Sequence, residues 1–130
     1  MYTATTRGIR VTVEPEFLAD RSAPDRQRFV WAYTIEIANI GEATVQLRAR
    51  HWKITDGLGR LEEVRGPGVV GEEPRLEPGE VFTYTSGCPL TTPSGIMAGS
   101  YQMEDEQGGT FDVVTPAFPL DSPYARHSVN

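Results

Sequence analysis

The segment of this sequence whose residues could do chemistry is Gly66-Pro67-Gly68-Val69-Val70-Gly71. It matches G-x-G-x-x-G, a pattern in which backbone amides and a helix N-terminus together hold a pyrophosphate. Residues 72–79 contain two prolines and a glycine, so no helix is expected after Gly71. Three hypotheses therefore stay open. In the first, the backbone amides of the loop surround a phosphate, aided by Arg65 or Arg75. In the second, the loop contacts the backbone of a partner protein. In the third, it is a structural turn in which the glycines allow positive φ or close approach of the backbone.

Residues suited to metal binding and covalent catalysis are sparse. The two histidines, His51 and His127, lie far apart in sequence, and Cys88 is the single cysteine. Zinc-like ions need several such ligands to converge, so no metal site is predicted. The acidic run at residues 104–106 precedes two glycines and is more typical of a solvated hairpin than of a magnesium site. No nucleophile motif or acid–base pair is evident, so the sequence predicts neither an enzyme nor a bound cofactor.

Aromatic side chains alternate along the predicted strands in a way that favours the core. They are Trp31, Tyr33, Trp52, Tyr84 and Tyr101. Alternation places most of them between two sheets. Trp52 stands beside a predicted bulge, and we expect it to be the exception that faces a ligand or partner.

Size and charge exclude several classes of function. The chain has 130 residues and a formal net charge of −6, which disfavours binding to nucleic acid or to an anionic membrane. Its longest apolar run, residues 29–33, is too short for membrane insertion. The N-terminus carries no signal-like stretch, so we expect a cytoplasmic protein. We also expect a single domain over residues 1–130, with a loosely held tail after about residue 120.

Hydrophobic alternation and frequent turn residues predict an all-β fold. Residues 28–40 alternate as a half-buried antiparallel strand, and residues 56–60 and 106–109 are typical of hairpin turns. Apolar residues change phase between Leu47 and Trp52, which predicts a β-bulge or sheet switch near residues 49–51. The expected architecture is an immunoglobulin or fibronectin type III-like antiparallel β-sandwich of about seven to ten short strands.

Several segments, in order along nearly the whole chain, resemble the bacterial ApaG family. They are FVWAYTI at residues 29–35, RHWKITD at 50–56, VRGPGVVG at 64–71, YTSG at 84–87 and GIMAGSYQM at 95–103. The resemblance implies a fibronectin-III-like sandwich and an indirect link to cobalt and magnesium resistance. It also implies a genetic association with dinucleoside polyphosphate hydrolysis, and an interaction role like that of the same domain in F-box proteins and a polymerase-interacting protein. The family offers no established catalytic residues.

These observations together predict a non-enzymatic interaction module. It would bind a protein partner through loops and an exposed strand edge, by β-augmentation. The alternative is a binder of a nucleotide or dinucleoside polyphosphate, held by its pyrophosphate at the glycine-rich loop. The candidate binding residues are Trp52, Arg65, Gly66, Gly68, Val69, Val70 and Gly71.

Overall fold

The computed structural model describes residues 1–125, which form nine strands and two short 3-10 turns. The strands are β1 (Tyr2–Thr6), β2 (Ile9–Phe17), β3 (Phe29–Asn39), β4 (Val45–Asp56), β5 (Leu61–Pro67), β6 (Arg75–Leu76), β7 (Val81–Leu90), β8 (Gly95–Asp105) and β9 (Thr110–Leu120). The 3-10 turns, Ala19–Arg21 and Pro24–Arg26, join β2 to β3. Within this part of the chain, no helix has the length or apolar character needed to cross a bilayer.

Two antiparallel sheets pack face to face and confirm the predicted sandwich. The first sheet has the order β1-β2-β3-β7, and the second has β5-β4-β8-β9 with β6 also paired to β4. One side of the sandwich is closed because β9 contacts β1 and β2, and the Val114 amide donates to Thr6 Oγ1 at 3.2 Å. The opposite side of the sandwich has β7 at the end of the first sheet order, and β5 and β6, which both pair with β4, at the end of the second.

Alternation in β3 places its large side chains in the core, as predicted. Trp31, Tyr33, Ile35 and Ile37 are buried, and they pack in one cluster with inward residues of both sheets. Glu36, from the opposite phase of the strand, is exposed. Burial of these apolar side chains is the main favourable contribution to stability, at roughly 25 cal/mol per Å² of apolar surface.

A bulge in β4 resolves the change of phase seen in the sequence. The pairing of β4 with β8 shifts register between Leu47 and Ala49, one position before the predicted range. Arg48 is thus the extra residue. After it, the even-numbered positions of β4, including Trp52 and Ile54, face the first sheet. A second shift, where β8 pairs with β9 between Met97 and Gly99, was not predicted.

The two predicted hairpin turns are present and use the same local device. Asp56 Oδ1 accepts the amides of Leu58 and Arg60 at 2.9 and 3.0 Å. In the same way, Asp105 Oδ1 accepts the amides at positions 107 and 109, both at 2.9 Å. An aspartate that binds its own downstream backbone favours a tight turn.

The segment after the last strand is bound to the rest of the fold. β8 begins at Gly95, and β9 runs to Leu120. Beyond it, Asp121 O accepts Trp31 Nε1 at 2.7 Å, and Ser122 Oγ donates to Pro93 O at 2.6 Å. Residues 126–130, which include His127, lie outside the described residues, so the predicted loose tail is not described there.

Cys88 provides a test of this packing. It is 3% exposed, and burial raises the pKa of its thiol to about 11, with the charge of Glu62 adding to the shift. Since only a thiolate reacts readily, we expect iodoacetamide at pH 8 to label the folded protein about a hundredfold more slowly than the urea-unfolded chain. Mass spectrometry of timed samples measures both rates. Equal rates would show that β7 opens freely at this position.

Candidate functional site

The glycine-rich segment begins as the last part of β5. Gly66 pairs with Arg50 of β4, and Pro67 pairs with Ala49. The Gly68 amide then donates to Arg48 O at 2.8 Å, so the chain stays bound to β4 as far as the bulge. The first half of the motif is therefore strand edge.

The second half of the motif is a two-residue hairpin turn. Val69 and Glu72 exchange both backbone hydrogen bonds at 2.8 Å. The residues between them, Val70 and Gly71, both have positive φ, 44° and 80°, as a type I′ turn requires. The expectation that no helix follows Gly71 is confirmed. Because the Gly68 and Val69 amides are already donated to carbonyl groups, they do not point together at an anion.

At two glycines of the motif, the surrounding atoms leave no room for a side chain. A Cβ on Gly66 would lie 2.9–3.0 Å from the guanidinium of Arg50. A Cβ on Gly68, where φ is +58°, would lie 2.2 Å from Glu72 O. These positions fit the structural-turn hypothesis, in which glycine supplies close approach and positive φ.

The two valines of the motif have opposite surroundings. Val69 is 1% exposed and joins the core cluster, so it anchors the loop on the open side of the sandwich. Val70 is 54% exposed at the tip of the turn. A β-branched residue at positive φ is an outlier that costs of order 1–3 kcal/mol, and such strain is commonest at binding sites.

Arg50 is the residue of this region that the sequence analysis did not select. It is opposite the buried Tyr101 in β8 and therefore shares the inward phase of Trp52. Its Nη1 donates to Pro67 O and Gly68 O at 2.8 and 3.0 Å, so the guanidinium holds the glycine-rich loop from within. The sequence did contain a sign of this role. After the bulge at Arg48, the even-numbered residues of β4 face inward, and position 50 is one of them.

A small cavity of about 180 Å³ opens beside this guanidinium. We call it the Arg50 pocket, and its lining residues are Tyr33, Arg50, Trp52, Val69, Val70, Tyr84 and Ser86. Burial raises the pKa of both pocket tyrosines, Tyr33 and Tyr84, so their hydroxyls stay protonated at neutral pH. Tyr84 also shares a hydrogen bond with the hydroxyl of Tyr101. The pocket thus combines one cation, neutral hydroxyls and apolar walls.

Comparison with known proteins identifies the family. The ApaG domain model matches residues 19–105. Protein ApaG of Methylocella silvestris is 64% identical and that of Beijerinckia indica 60% identical, each over the whole of both chains. The chain belongs to the ApaG family. A crystal structure of a Bordetella pertussis protein, 46% identical, superposes with a TM-score of 0.86 and covers 95% of this chain and 98% of that one.

Arg65 and Arg75 of this ApaG-family chain do not point at the loop amides. Arg65 is opposite His51 in β4 and so faces away from the first sheet, with its side chain 72% exposed and Nη2 3.7 Å from Glu63. Arg75 lies 3.4 Å from Glu106. The two arginines expected to assist a phosphate therefore each contact a carboxylate instead.

The outer face of the second sheet carries a shallow, mixed-charge depression. It has a volume of about 400 Å³, and its polar lining includes His51, Arg65, Gln102 and Asp112; Arg50 borders this depression as well as its own pocket. The hydrogen bond from His51 Nε2 to Glu63, at 2.8 Å, lowers the pKa of that carboxyl. Opposite charges already meet here, so this depression shows no preference for an anion.

Trp52, the expected exception among the aromatics, belongs to the core of this ApaG domain. It is 3% exposed, and its ring packs edge-on against Tyr101 and Phe118, at centroid distances of 6.0 and 6.1 Å. The expectation that it is the exception to the core was wrong, because the bulge ends before Trp52 and leaves position 52 in the inward phase of β4. Trp52 reaches only the wall of the Arg50 pocket.

The acidic run at residues 104–106 is used within the fold. Glu104 contacts Arg48 at 3.1 Å, Asp105 forms the hairpin turn, and Glu106 contacts Arg75. Within residues 1–125, no group of three histidine, cysteine or acidic side chains is placed to hold a metal ion. The hairpin interpretation of this run therefore agrees with the structure.

Proposed function

We propose that this ApaG domain is a non-enzymatic interaction module that binds an extended segment of a partner protein along the free edge of β7. The observation that carries the proposal is the edge itself. β7 is ten residues long and, within the described part of the chain, pairs only with β3. An unpaired row of backbone amides and carbonyls is a template for one more strand.

The other edges of the sandwich are less suited to pairing. β1 has five residues and lies against β9, which it helps to cover. β5 carries the charged residues Glu62, Glu63 and Arg65, and charged side chains protect an edge from pairing. β7 has no charged residue, and it alternates β-branched and aromatic residues over 81–85. It is therefore the long edge without charged protection, and its one proline, Pro89, lies next to the last residue of the strand.

A non-enzymatic role is supported by the groups around the pocket. Burial raises the pKa of Tyr33 and of Tyr84, so both hydroxyls stay protonated at neutral pH and neither acts readily as a general base. His51 faces the other side of the sheet and contacts Glu63. A link to cobalt and magnesium resistance would then run through the partner protein.

The test introduces a charge on the β7 edge. Thr83 is exposed and lies opposite Glu36, so Thr83→Lys gains a cross-strand ion pair and the fold is retained. We expect T83K to reduce recovery of a stoichiometric partner, captured from extract of the source cells, about tenfold, because lysine opposes strand addition. Binding is then measured with the purified partner by isothermal titration.

The matched control is Thr3→Lys, the same change at an exposed threonine on the opposite edge of the same sheet. T3K should leave partner binding unchanged. Equal loss in both variants, or no loss in T83K, would place the partner elsewhere. Repeated failure to recover a partner with the unaltered domain would count against the proposal as a whole.

The nucleotide alternative has weaker support. The Gly68 and Val69 amides are occupied, and Glu72 and Glu73 follow the loop, so a polyphosphate would meet negative charge. Titration with ATP and a dinucleoside polyphosphate, with and without magnesium, discriminates the two functions. Saturable heat that is lost when Gly68 is replaced would favour the nucleotide.

A further inference from the structure

Arg50 differs from the other arginines that line the second sheet. Arg48, Arg60, Arg65 and Arg75 each have a carboxylate oxygen within the 4.0 Å limit of an ion pair. Within residues 1–125, Arg50 has none, although its side chain is half-buried and faces inward. A charge withdrawn from water without a counter-charge is costly.

The donors of Arg50 are only partly used. The two carbonyl contacts of the loop, from Pro67 and Gly68, are both made by Nη1. A guanidinium has five N–H donors in a planar fork that matches a carboxylate. Gly66 leaves the flat face of the group uncovered by any Cβ, so the guanidinium lies directly against β5. The remaining donors are suited to an anion that enters from the pocket.

The size of the Arg50 pocket limits that anion. Small-molecule sites usually measure about 300–1,000 Å³. At about 180 Å³, this cavity has room for one acidic group on a short stem but not for a nucleotide. The hydroxyls of Tyr84 and Ser86 add neutral donors, and Trp52 and Val69 supply walls for the stem.

The pocket lies next to the edge proposed for the partner. Tyr84 and Ser86 are alternate residues of β7, so both point to the inner face of the sheet. A strand added along β7 would place every second side chain on that same face, beside the pocket mouth. One of them could then enter the pocket.

We propose that the Arg50 pocket receives the carboxylate of an aspartate or glutamate side chain from the segment that pairs with β7. This inference rests on the proposed function, because the acidic residue comes from the added strand. A carboxylate carries one negative charge and would neutralise the Arg50 guanidinium, which has no ion pair within residues 1–125. A phosphate dianion would leave one negative charge without a partner in a protein of net charge −6.

The experiment titrates the unaltered, isotope-labelled protein with sodium acetate at pH 7 and constant ionic strength, observed by NMR. Acetate supplies the carboxylate without a strand. We expect saturable shifts confined to the Arg50 Nε–H and to the amides of Gly68, Val69 and Ser86. Arg50→Gln should weaken binding about tenfold, because it removes the charged donors. Arg65→Gln, on the outer face of the same sheet, is the matched control and should leave the titration unchanged.

A second variant covers the case in which Arg50→Gln loosens the loop. Ser86→Asp places a tethered carboxylate within the pocket, so it should retain the fold and abolish the response to acetate. Shifts that persist in both variants, or that do not saturate, would overturn the pocket as a carboxylate site. Tighter binding of inorganic phosphate than of acetate would overturn the choice of a carboxylate.

Failure here and failure of the edge proposal give different results. If acetate produces no saturable shifts in the unaltered protein, but T83K weakens partner binding, strand pairing is kept and the acidic side chain is rejected. If acetate binds saturably, but no partner is found whose binding T83K weakens, the carboxylate pocket is kept and the added strand is rejected.

Discussion

Gly68→Ala is expected to lower the free energy of unfolding by about 2–4 kcal/mol, because two penalties combine at this position. Its φ of +58° is unfavourable for a residue with a Cβ, and that atom would lie 2.2 Å from Glu72 O. Since the obstructing atom is backbone, relief requires the Val69–Glu72 turn to move. Urea unfolding followed by tryptophan fluorescence measures the change.

Gly71→Ala is the matched control within the same motif. Its φ of +80° is as unfavourable, but nothing lies within 4 Å of the added Cβ. The expected cost is about 1 kcal/mol, from backbone conformation alone. If both variants lost the same free energy of unfolding, the close approach of Glu72 O would not be the reason that position 68 requires glycine.

Trp52→Ala is expected to cost about 3–5 kcal/mol of unfolding free energy, because it empties a site packed on several sides. The ring contacts Tyr33, Tyr101 and Phe118 in edge or T-shaped arrangements. In a domain whose whole stability is about 5–15 kcal/mol, this change threatens folding. Thermal unfolding by circular dichroism gives the result.

Trp52→Phe is the milder partner of that variant, since it keeps an aromatic ring in the same position. It should lose clearly less stability than W52A. If W52A kept the stability of the unaltered protein and instead weakened partner binding, Trp52 would be a surface residue of the kind the sequence first indicated. The 3% exposure of its side chain argues against that outcome.

Much of the fold could be predicted from local pattern. β3 was evident because the large apolar residues at alternate positions over 29–37 can all face one side of a strand. The hairpin at Asp56 was evident because aspartate and glycine favour that type of turn. The bulge was predicted from two apolar phases in one strand, which cannot both face a core without an extra residue. Such features depend on neighbouring residues and are visible in the sequence.

The site was less predictable because it depends on distant residues. The letters of G-x-G-x-x-G do not show that the Gly68 amide is donated to Arg48 or that Val69 is buried. The importance of Arg50 follows from an upstream bulge and from β7, more than thirty residues later in the chain. Arg65, which the motif favoured, faces the other side of its sheet because neighbouring residues of a strand alternate.

The strand order also has a consequence for how the chain is made. β3 needs β7 as its neighbour, and β4 needs β8, so each sheet waits for a segment synthesised about fifty residues later. Non-local pairing of this kind slows folding, since loop entropy is lost before contacts form. We therefore expect Trp31 and Ile35 to stay uncovered in the nascent chain until residue 105 emerges, and apolar surface exposed in this way favours aggregation.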